Sequence, residues 1–344
     1  MVIVSAPGKV HLIGEHAVVA GCPAILAAVG QRTTVACTLR DDVRYHDMRF
    51  PKADHTWSVD DVLHAATETK KLWNGCKEKN NFLPVIMHVK KNGFEAYRKS
   101  IVGIVLAELG ITQGVDLMIR SDVPVGSGLG SSSSLAVALT QAIAAAANKN
   151  ILQERVNAIA YELEKIIHGM PSGGDNAACC YGGLVWFQRA TPQPIIKSLR
   201  DTIIHPLKNF VLVYTIAPKK TTGELVQMVR DLDPAFRTPI FERIRVLVDE
   251  LITALKDDDM QTVIAILNET HEHLKAIGIS VPEVDKLHDA IKKIGGGSKI
   301  CGGGGGGVML CWHEDKQKLL AVIKEHGYMP LETELGAPGV RVEQ

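Results

Sequence analysis

From Leu152 to Ile167 the apolar side chains fall at Val156, Ile159, Ala160, Leu163, Ile166 and Ile167, the spacing of one buried face of an amphipathic helix. Gly169 follows, with Pro171 just beyond, which is how helices stop. Val115–Ser121 alternates apolar and polar positions like a half-buried strand, and the alanine-rich run Ser134–Ala147 predicts a helix. Thr33–Leu39, Gly183–Phe187, Phe210–Thr215 and Val308–Trp312 read as further strands. Pro239–Leu255, Gln261–Ala276 and a segment before Gly295 read as helices. Val2–Ser5 and Ala24–Val29 read as strand and helix pieces flanking the glycine-bearing segment APGKVHLIGEH. From Asp41 to about Asn92 the periodicity weakens and the chain turns polar and aromatic, so an insertion or rim is expected there. A proline-containing segment after Phe187 places the domain boundary at about 190, giving domains 1–190 and 191–344.

Between the strand ending at Ser121 and the helix from Ser134 lies Pro124-Val-Gly-Ser-Gly-Leu-Gly-Ser-Ser-Ser-Ser134, with three glycines at alternate positions before four hydroxyls. A single glycine pair there would mean only a tight turn capped by serine. Three glycines before a serine cluster instead suit an anion site, where bare backbone N–H groups and a helix N-terminus meet phosphate oxygens. The loop is not of the Walker type, because no lysine follows Gly130. Nor is it a dinucleotide loop, because Ser131 stands where the third glycine belongs. A second run, Gly302–Gly307, has close apolar flanks and neither serine nor proline within it. It is expected as a loop inside a domain, packing backbone on backbone or ligand, and not as a flexible linker.

Composition narrows the functional classes. The 344 residues exceed the size at which one core stops growing and favour two domains. Apolar residues make up 46% and charged residues 22%, an ordinary globular balance. The 38 basic and 38 acidic residues cancel, so no field draws the chain to nucleic acid or an anionic membrane. Small-molecule partners are expected. Seven cysteines, an odd number, point to reduced thiols in a cytoplasm, and no apolar run is long enough to span a bilayer.

A phosphate loop without its own lysine needs charge neutralised from elsewhere, which directs attention to carboxylates and Mg²⁺. Glu164 lies at the edge of the apolar stripe of its helix, and Asp175 sits in the glycine turn Pro171-Ser-Gly-Gly-Asp-Asn176. Read alone, these would be a rim charge and an Asx turn, and Lys9 in Ala6-Pro-Gly-Lys9 a surface lysine. His271-Glu-His273 points its histidines to different helix faces and reads as one packed and one solvated side chain. Asp257-Asp-Asp259 reads as a cap and turn.

Three separated segments together resemble the GHMP small-molecule kinases, named for their galactose, homoserine, mevalonate and phosphomevalonate members. SAPGKVHLIGEHAVVAG resembles the family's first motif, PVGSGLGSSSS its phosphate loop, and KICGGGGGGVM its third motif. The branch acting on mevalonate is resembled most, through GEHAVVAG, IIHGMPSGGDN and ETELGAPGV, in the same order from Ser5 to Val340. The resemblance implies an α+β fold in two parts, an N-terminal ribosomal-protein-S5-like domain and a C-terminal ferredoxin-like domain, with the site in the cleft between them. It implies ATP and Mg²⁺ as cofactors. Ser121 and Gly126, Ser127, Gly128, Leu129, Gly130, Ser131 and Ser132 match the ATP-phosphate segment, and Ser132 and Glu164 match the metal-holding residues. Asp175 matches the catalytic base and Lys9 the lysine on the reacting hydroxyl. Glu15 and His16 match the substrate-side motif, and Thr221 or Thr222 a threonine near the phosphate path. Ala17-Val18-Val19 is small and apolar where galactose-acting members carry an acidic residue and tyrosine, which favours mevalonate. Cys301 and Gly303 depart from the family's threonine or serine and its alanine, and both bear on the loop's rigidity. The implied partners are ATP and a small acceptor, without nucleic acid or membrane; monomer and homodimer both remain open.

Overall fold

The computed structural model describes residues 1–50 and 54–343. Its first sheet is built on two long strands, β1 (Val2–Ile13) and β2 (Pro23–Arg40), paired antiparallel. The segment APGKVHLIGEH is therefore strand over most of its length, and Ala24–Val29 is strand and not helix. Every residue from Pro23 to Val29 is buried, so this half of β2 reads as an unbroken apolar run and loses the alternation that marks a strand. β2 is long enough to serve two neighbours: its later half pairs β5 (Gly114–Ser121) and its first half pairs β6 (Leu184–Gln188). β3 (Val43–Asp47) runs parallel to β5 and pairs β4 (His55–Trp57), while β7 (Ile195–Ser198) pairs β6.

Helices α1 (Val59–Glu78), α2 (Leu83–Leu109), α3 (Ser131–Ala146), α4 (Gln153–His168) and α5 (Gly174–Tyr181) belong to this first part. The region expected as an insertion or rim at 41–92 carries β3, β4, α1 and the start of α2, apart from residues 51–53, which lie outside the described residues. α1 opens on a Ser58–Asp61 capping box, and a Cβ at Gly103 of α2 would sit 1.9 Å from the Val62 carbonyl oxygen, so the two helices pack backbone on backbone. Only Val62, Ala66, Thr69 and Cys76 of α1 are buried, a stripe too sparse for hydrophobic spacing to reveal.

The second part carries α6 (Thr222–Arg230), α7 (Pro234–Lys256), α8 (Met260–Ala276), α9 (Pro282–Lys293) and α10 (Lys316–Glu325). They accompany an antiparallel sheet of β8 (Phe210–Tyr214), β9 (Gly297–Ile300), β10 (Val308–Trp312) and β11 (Pro330–Leu331), in the order β11-β8-β10-β9. Fourth, first, third, second is the ferredoxin-like arrangement. One apolar cluster joins the two parts, running from Val10, Leu12 and Ile13 of β1 to Val211, Leu247 and Leu310. All seven cysteines are buried and unbridged, and no described helix is long and apolar enough to cross a membrane.

The sheets do not divide at residue 190. That position falls inside the β6–β7 hairpin, and the last strand, β12 (Arg341–Val342), returns to pair Val4 and Ser5 of β1. Arg32 clamps this returning tail. Its guanidinium donates to the carbonyls of Pro338 and Gly339, each at 2.7 Å, and to the Ser5 carbonyl at 3.0 Å and hydroxyl at 2.6 Å. Charge-assisted hydrogen bonds to main chain are the stronger kind. Arg32→Met should lower unfolding stability by about 2 kcal/mol, read as a shift of the urea midpoint. An unmoved midpoint would show that the tail is held without Arg32.

Candidate active site

β5 delivers the chain into the first glycine loop, and the three alternate glycines take the left-handed conformations that side chains resist: φ is 73° at Gly126, 87° at Gly128 and 74° at Gly130. Gly130 is the N-cap of α3, and no side chain caps that helix, so its first-turn N–H groups face outward unclaimed by a side chain. Ser127, only 2% exposed, holds the loop from inside: its hydroxyl donates to the Pro124 carbonyl at 2.7 Å and accepts from Leu129 N at 3.2 Å. Leu129 is fully buried beneath it. Ser121 bonds Thr33 at 2.7 Å, which bonds Ser134 at 2.7 Å, tying strand to helix. The Ser131 hydroxyl accepts from Arg49 at 3.2 Å.

Facing this loop is the second glycine run. A Cβ on Gly302 would come within 3.6 Å of Gly128 Cα, and one on Gly307 within 3.2 Å of the Ser127 carbonyl oxygen. The run is fastened, as expected of a loop inside a domain: Gly305 N donates to Ile279 O and Gly307 N to Ile216 O, both at 2.7 Å. Gly303, the departure from alanine, lies where a Cβ would meet the Thr222 side chain at 3.0 Å.

Lys9 and Asp175 meet beside the first loop. Lys9 Nζ is 3.0 Å from Asp175 Oδ2 and donates to the Gly128 carbonyl at 3.0 Å, while its own N–H donates to Leu129 O at 2.9 Å. The lysine side chain is 3% exposed and the aspartate 35%, so the carboxylate opens to the cleft while its counter-charge lies behind it. Asp175 stands in the first turn of α5, a helix that the glycine turn hides in the sequence. Burial would raise the Asp175 pKa, but the charge and hydrogen bond of Lys9 outweigh it, and the carboxyl titrates below the ordinary aspartate range. His11 lies two residues from Lys9 on the same strand face, 3.9 Å from Asp175 Oδ1, and burial beside Lys9 lowers its pKa to about 3, keeping it neutral.

Glu164 is 2% exposed on α4. Its Oε2 accepts from Ser133 at 2.5 Å and Ser132 at 3.3 Å, and His168, one turn on, stands 3.7 Å away and also contacts Ser132 at 3.1 Å. Oε1 is buried with no partner. Burial raises the Glu164 pKa, opposed by His168 and Ser133, and the charge of Asp175 adds to the rise. An orphaned carboxylate oxygen, adjacent hydroxyls and a second carboxylate close enough to repel it form a donor set that suits a hard divalent cation. Ser133 and His168 were missed in the sequence, although His168 is legible as the i+4 neighbour of Glu164.

Glu15 and His16 follow β1. Glu15 forms a wholly buried ion pair with Lys299 of β9, which opens the third motif but to which no role was given, and burial raises the Glu15 pKa against the pull of that lysine. His16, at φ 59°, donates from Nε2 to the Gly303 carbonyl at 3.0 Å; burial lowers its pKa to about 4, and its Nδ1 has no partner. Both threonines are exposed; Thr221 caps α6 through Glu224, and Thr222 is the one against the glycine run. A cavity of about 470 Å³ beside His16 is lined by Val19, Val226, Val229, Arg230 and Phe241 among others, and not by Lys9 or Asp175. Val18 does not reach it; it packs in a core with Phe187, Leu26 and Ala178. Of the expected apolar wall only Val19 lines this cavity. Among the described residues no group of three or more His, Cys, Asp or Glu side chains could hold a metal by itself, and His271 is buried while His273 is half-buried.

Comparison with known proteins agrees with this arrangement. Residues 96–183 match the GHMP kinases N terminal domain and residues 251–328 the GHMP kinases C terminal domain, while residues 1–39 match a galactokinase galactose-binding signature. The chain belongs to the GHMP kinase family. It is similar to mevalonate kinases over its whole length: 30% identical to that of Thermococcus sibiricus, over 99% of this chain and 98% of the relative. It is 29% identical to that of Pyrococcus horikoshii, over 100% and 98% respectively. Its fold superposes on the crystal structure of the Methanococcus jannaschii mevalonate kinase with a TM-score of 0.80 at 26% identity, covering 97% of this chain and 98% of that one.

The Lys9–Asp175 pair makes a prediction independent of any assay of turnover. Lys9→Met withdraws the main charge that lowers the Asp175 pKa and leaves the burial that raises it. The Asp175 carboxyl should therefore titrate at higher pH in the variant, seen by carbon-13 NMR of its side-chain carbonyl. An unchanged titration would mean that the two charges do not interact.

Proposed function

We propose that this protein is an ATP-dependent kinase that phosphorylates mevalonate to 5-phosphomevalonate, releasing ADP, in isoprenoid biosynthesis. The observation that supports this reading most is that Lys9 Nζ joins the Asp175 carboxylate to the Gly128 carbonyl, both at 3.0 Å. A proton acceptor is thus fixed against the loop suited to ATP phosphates. The glycine loop and the open N-terminus of α3 would receive the β and γ phosphates through N–H groups. Ser132 and Glu164 would hold Mg²⁺, which when bound supplies neutralising charge at the phosphates. Asp175 accepts the proton of the acceptor hydroxyl as its oxygen bonds to the γ phosphorus and the bond from that phosphorus to ADP breaks. Lys9 keeps Asp175 ionised and stabilises the developing alkoxide charge. Thr222, against the glycine run, is nearer the phosphate path than Thr221.

Galactose is the competing acceptor, favoured by the signature matched over residues 1–39. Against it stands the apolar Ala17-Val18-Val19 segment, of which Val19 lines the cavity beside His16, although Arg230, Arg237, Thr238 and Glu242 supply polar groups to the same cavity. A sugar hydroxyl buried unpaired against that apolar segment costs about 1–3 kcal/mol. kcat/KM measured for mevalonate, galactose, homoserine and phosphomevalonate under one ATP regime should be highest for mevalonate. A higher value for any of the other three overturns the substrate assignment.

Asp175→Asn preserves shape and removes the base, so kcat should fall about 10²-fold or more while ATP binding persists. A folded variant with near-normal turnover would remove Asp175 from the reaction. Glu164→Gln should raise the Mg²⁺ concentration for half-maximal rate, and an unaltered Mg²⁺ dependence would return Glu164 to a structural role.

A further inference from the structure

The ion pair between Glu15 and Lys299 is the most deeply buried pair of opposite charges that bridges the two parts of the molecule, with side-chain exposures of 1% and 0%. Lys299 also donates to the His11 carbonyl at 3.3 Å and to the Cys301 sulfur at 3.5 Å, so each of its three hydrogens has a partner. An ammonium placed where no water reaches it is costly unless a counter-charge and hydrogen-bond acceptors meet it, as they do here. The strand carrying it, β9, runs directly into the glycine run at 302–307, and its partner Glu15 adjoins His16, whose ring reaches back to the Gly303 carbonyl. Two links, Lys299 to Glu15 and His16 to Gly303, therefore close one ring of contacts across the cleft. One is ionic and one is a hydrogen bond to main chain.

We propose that Lys299 is a positioning residue, which sets Glu15 and His16 and through them holds the second glycine loop over the first. The claim rests on the kinase reading above. Lys299 touches neither the Lys9–Asp175 pair nor Glu164; it acts through the residues that it holds. Glu15 Oε2 is buried without a partner, so a carboxylate kept ionised by Lys299 retains one free acceptor beside the cleft. The groups around that carboxylate are Lys299 and Cys301 from β9 and its end, and Lys9, His11 and His16 from β1 and its continuation. Cys301 replaces the threonine or serine of the family, and its thiol, which burial pushes up to about 11, stays protonated beside the lysine.

The test uses the full chain in four forms: parent, Lys299→Met, Glu15→Gln, and the double variant. Lys299→Met alone leaves a buried carboxylate uncompensated and is expected to lower Tm. The neutral double variant avoids that penalty and should melt close to the parent. Hydrogen exchange at the Gly305 and Gly307 amides, read without substrate, should be at least ~10-fold faster in the double variant, because the loop loses its tie to Glu15 and His16. In turnover, kcat/KM for mevalonate should fall ~10²-fold in the double variant, while the Kd for ATP, measured by calorimetry, changes less than ~3-fold. With Lys299 gone and Glu15 present, the acidic limb of the kcat/KM profile should move to higher pH, and that displacement should be absent once Glu15 is glutamine. A folded double variant with parental exchange at Gly305 and Gly307 and parental kcat/KM overturns the positioning role. Failure of the parent itself to phosphorylate mevalonate would instead overturn the mevalonate assignment, and the exchange measurement would still decide the role of Lys299 in holding the loop.

Discussion

Main chain approaching main chain is the constraint around which this molecule is arranged. Gly128 and Gly302 face each other at contact distance, a Cβ on Gly302 falling 3.6 Å from Gly128 Cα, and the Ser127 carbonyl presses closer still, 3.2 Å from where a Cβ of Gly307 would lie. Such proximity demands positive φ at alternate residues of one loop and at most residues of the other, which only glycine adopts without strain. Everything nearby is then a support. The Thr33–Ser121–Ser134 hydroxyl chain and the Ser127 turn stiffen the first loop from beneath. Ile216 and Ile279 fasten the second from the other side.

Charge is distributed to complement that backbone. Lys9 lies behind Asp175 and against the loop carbonyl, so its positive charge serves the carboxylate and the loop together. Asp175 and Glu164 repel, and the rise in the Glu164 pKa records that repulsion along with burial. The neutral imidazoles of His11 and His16 add shape and hydrogen bonding without adding positive charge to a region already holding Lys9 and Lys299. Two repelling carboxylates and unclaimed helix N–H groups therefore face the same cleft, each with charge left to be complemented.

The elements with strong periodicity, α4, β5 and α3 among them, were legible because each presents one face to one core. β2 was misread where it is buried on both faces, since burial on both sides erases the alternation on which the reading depends. α1 escaped because small residues let it approach α2 closely and little apolar area is required. Within the site, Asp175, Glu164 and Lys9 were found through family resemblance, and their meeting in space could not follow from residues 166 positions apart or so. Lys299 stood at the head of the third motif, but nothing in that motif assigned it a partner. Its importance arises from a partner in the turn that follows β1, far away in sequence, and a lysine in the four-residue strand Gly297–Ile300 carries no mark of the carboxylate it will face.

The return of the chain to its own beginning has a consequence for biosynthesis. Val4 pairs with Val342 and Ser5 with Arg341, and Gly182 meets Pro338, so the first sheet is completed by residues that leave the ribosome after the whole second part has been made. Until then β1 presents an unpaired edge beside strands that have otherwise found their neighbours, and the first part waits as an open sheet. The second part can close around its own four strands at once, and its docking brings the tail into reach of Arg32. The order of synthesis thus makes the N-terminal sheet the last to be sealed.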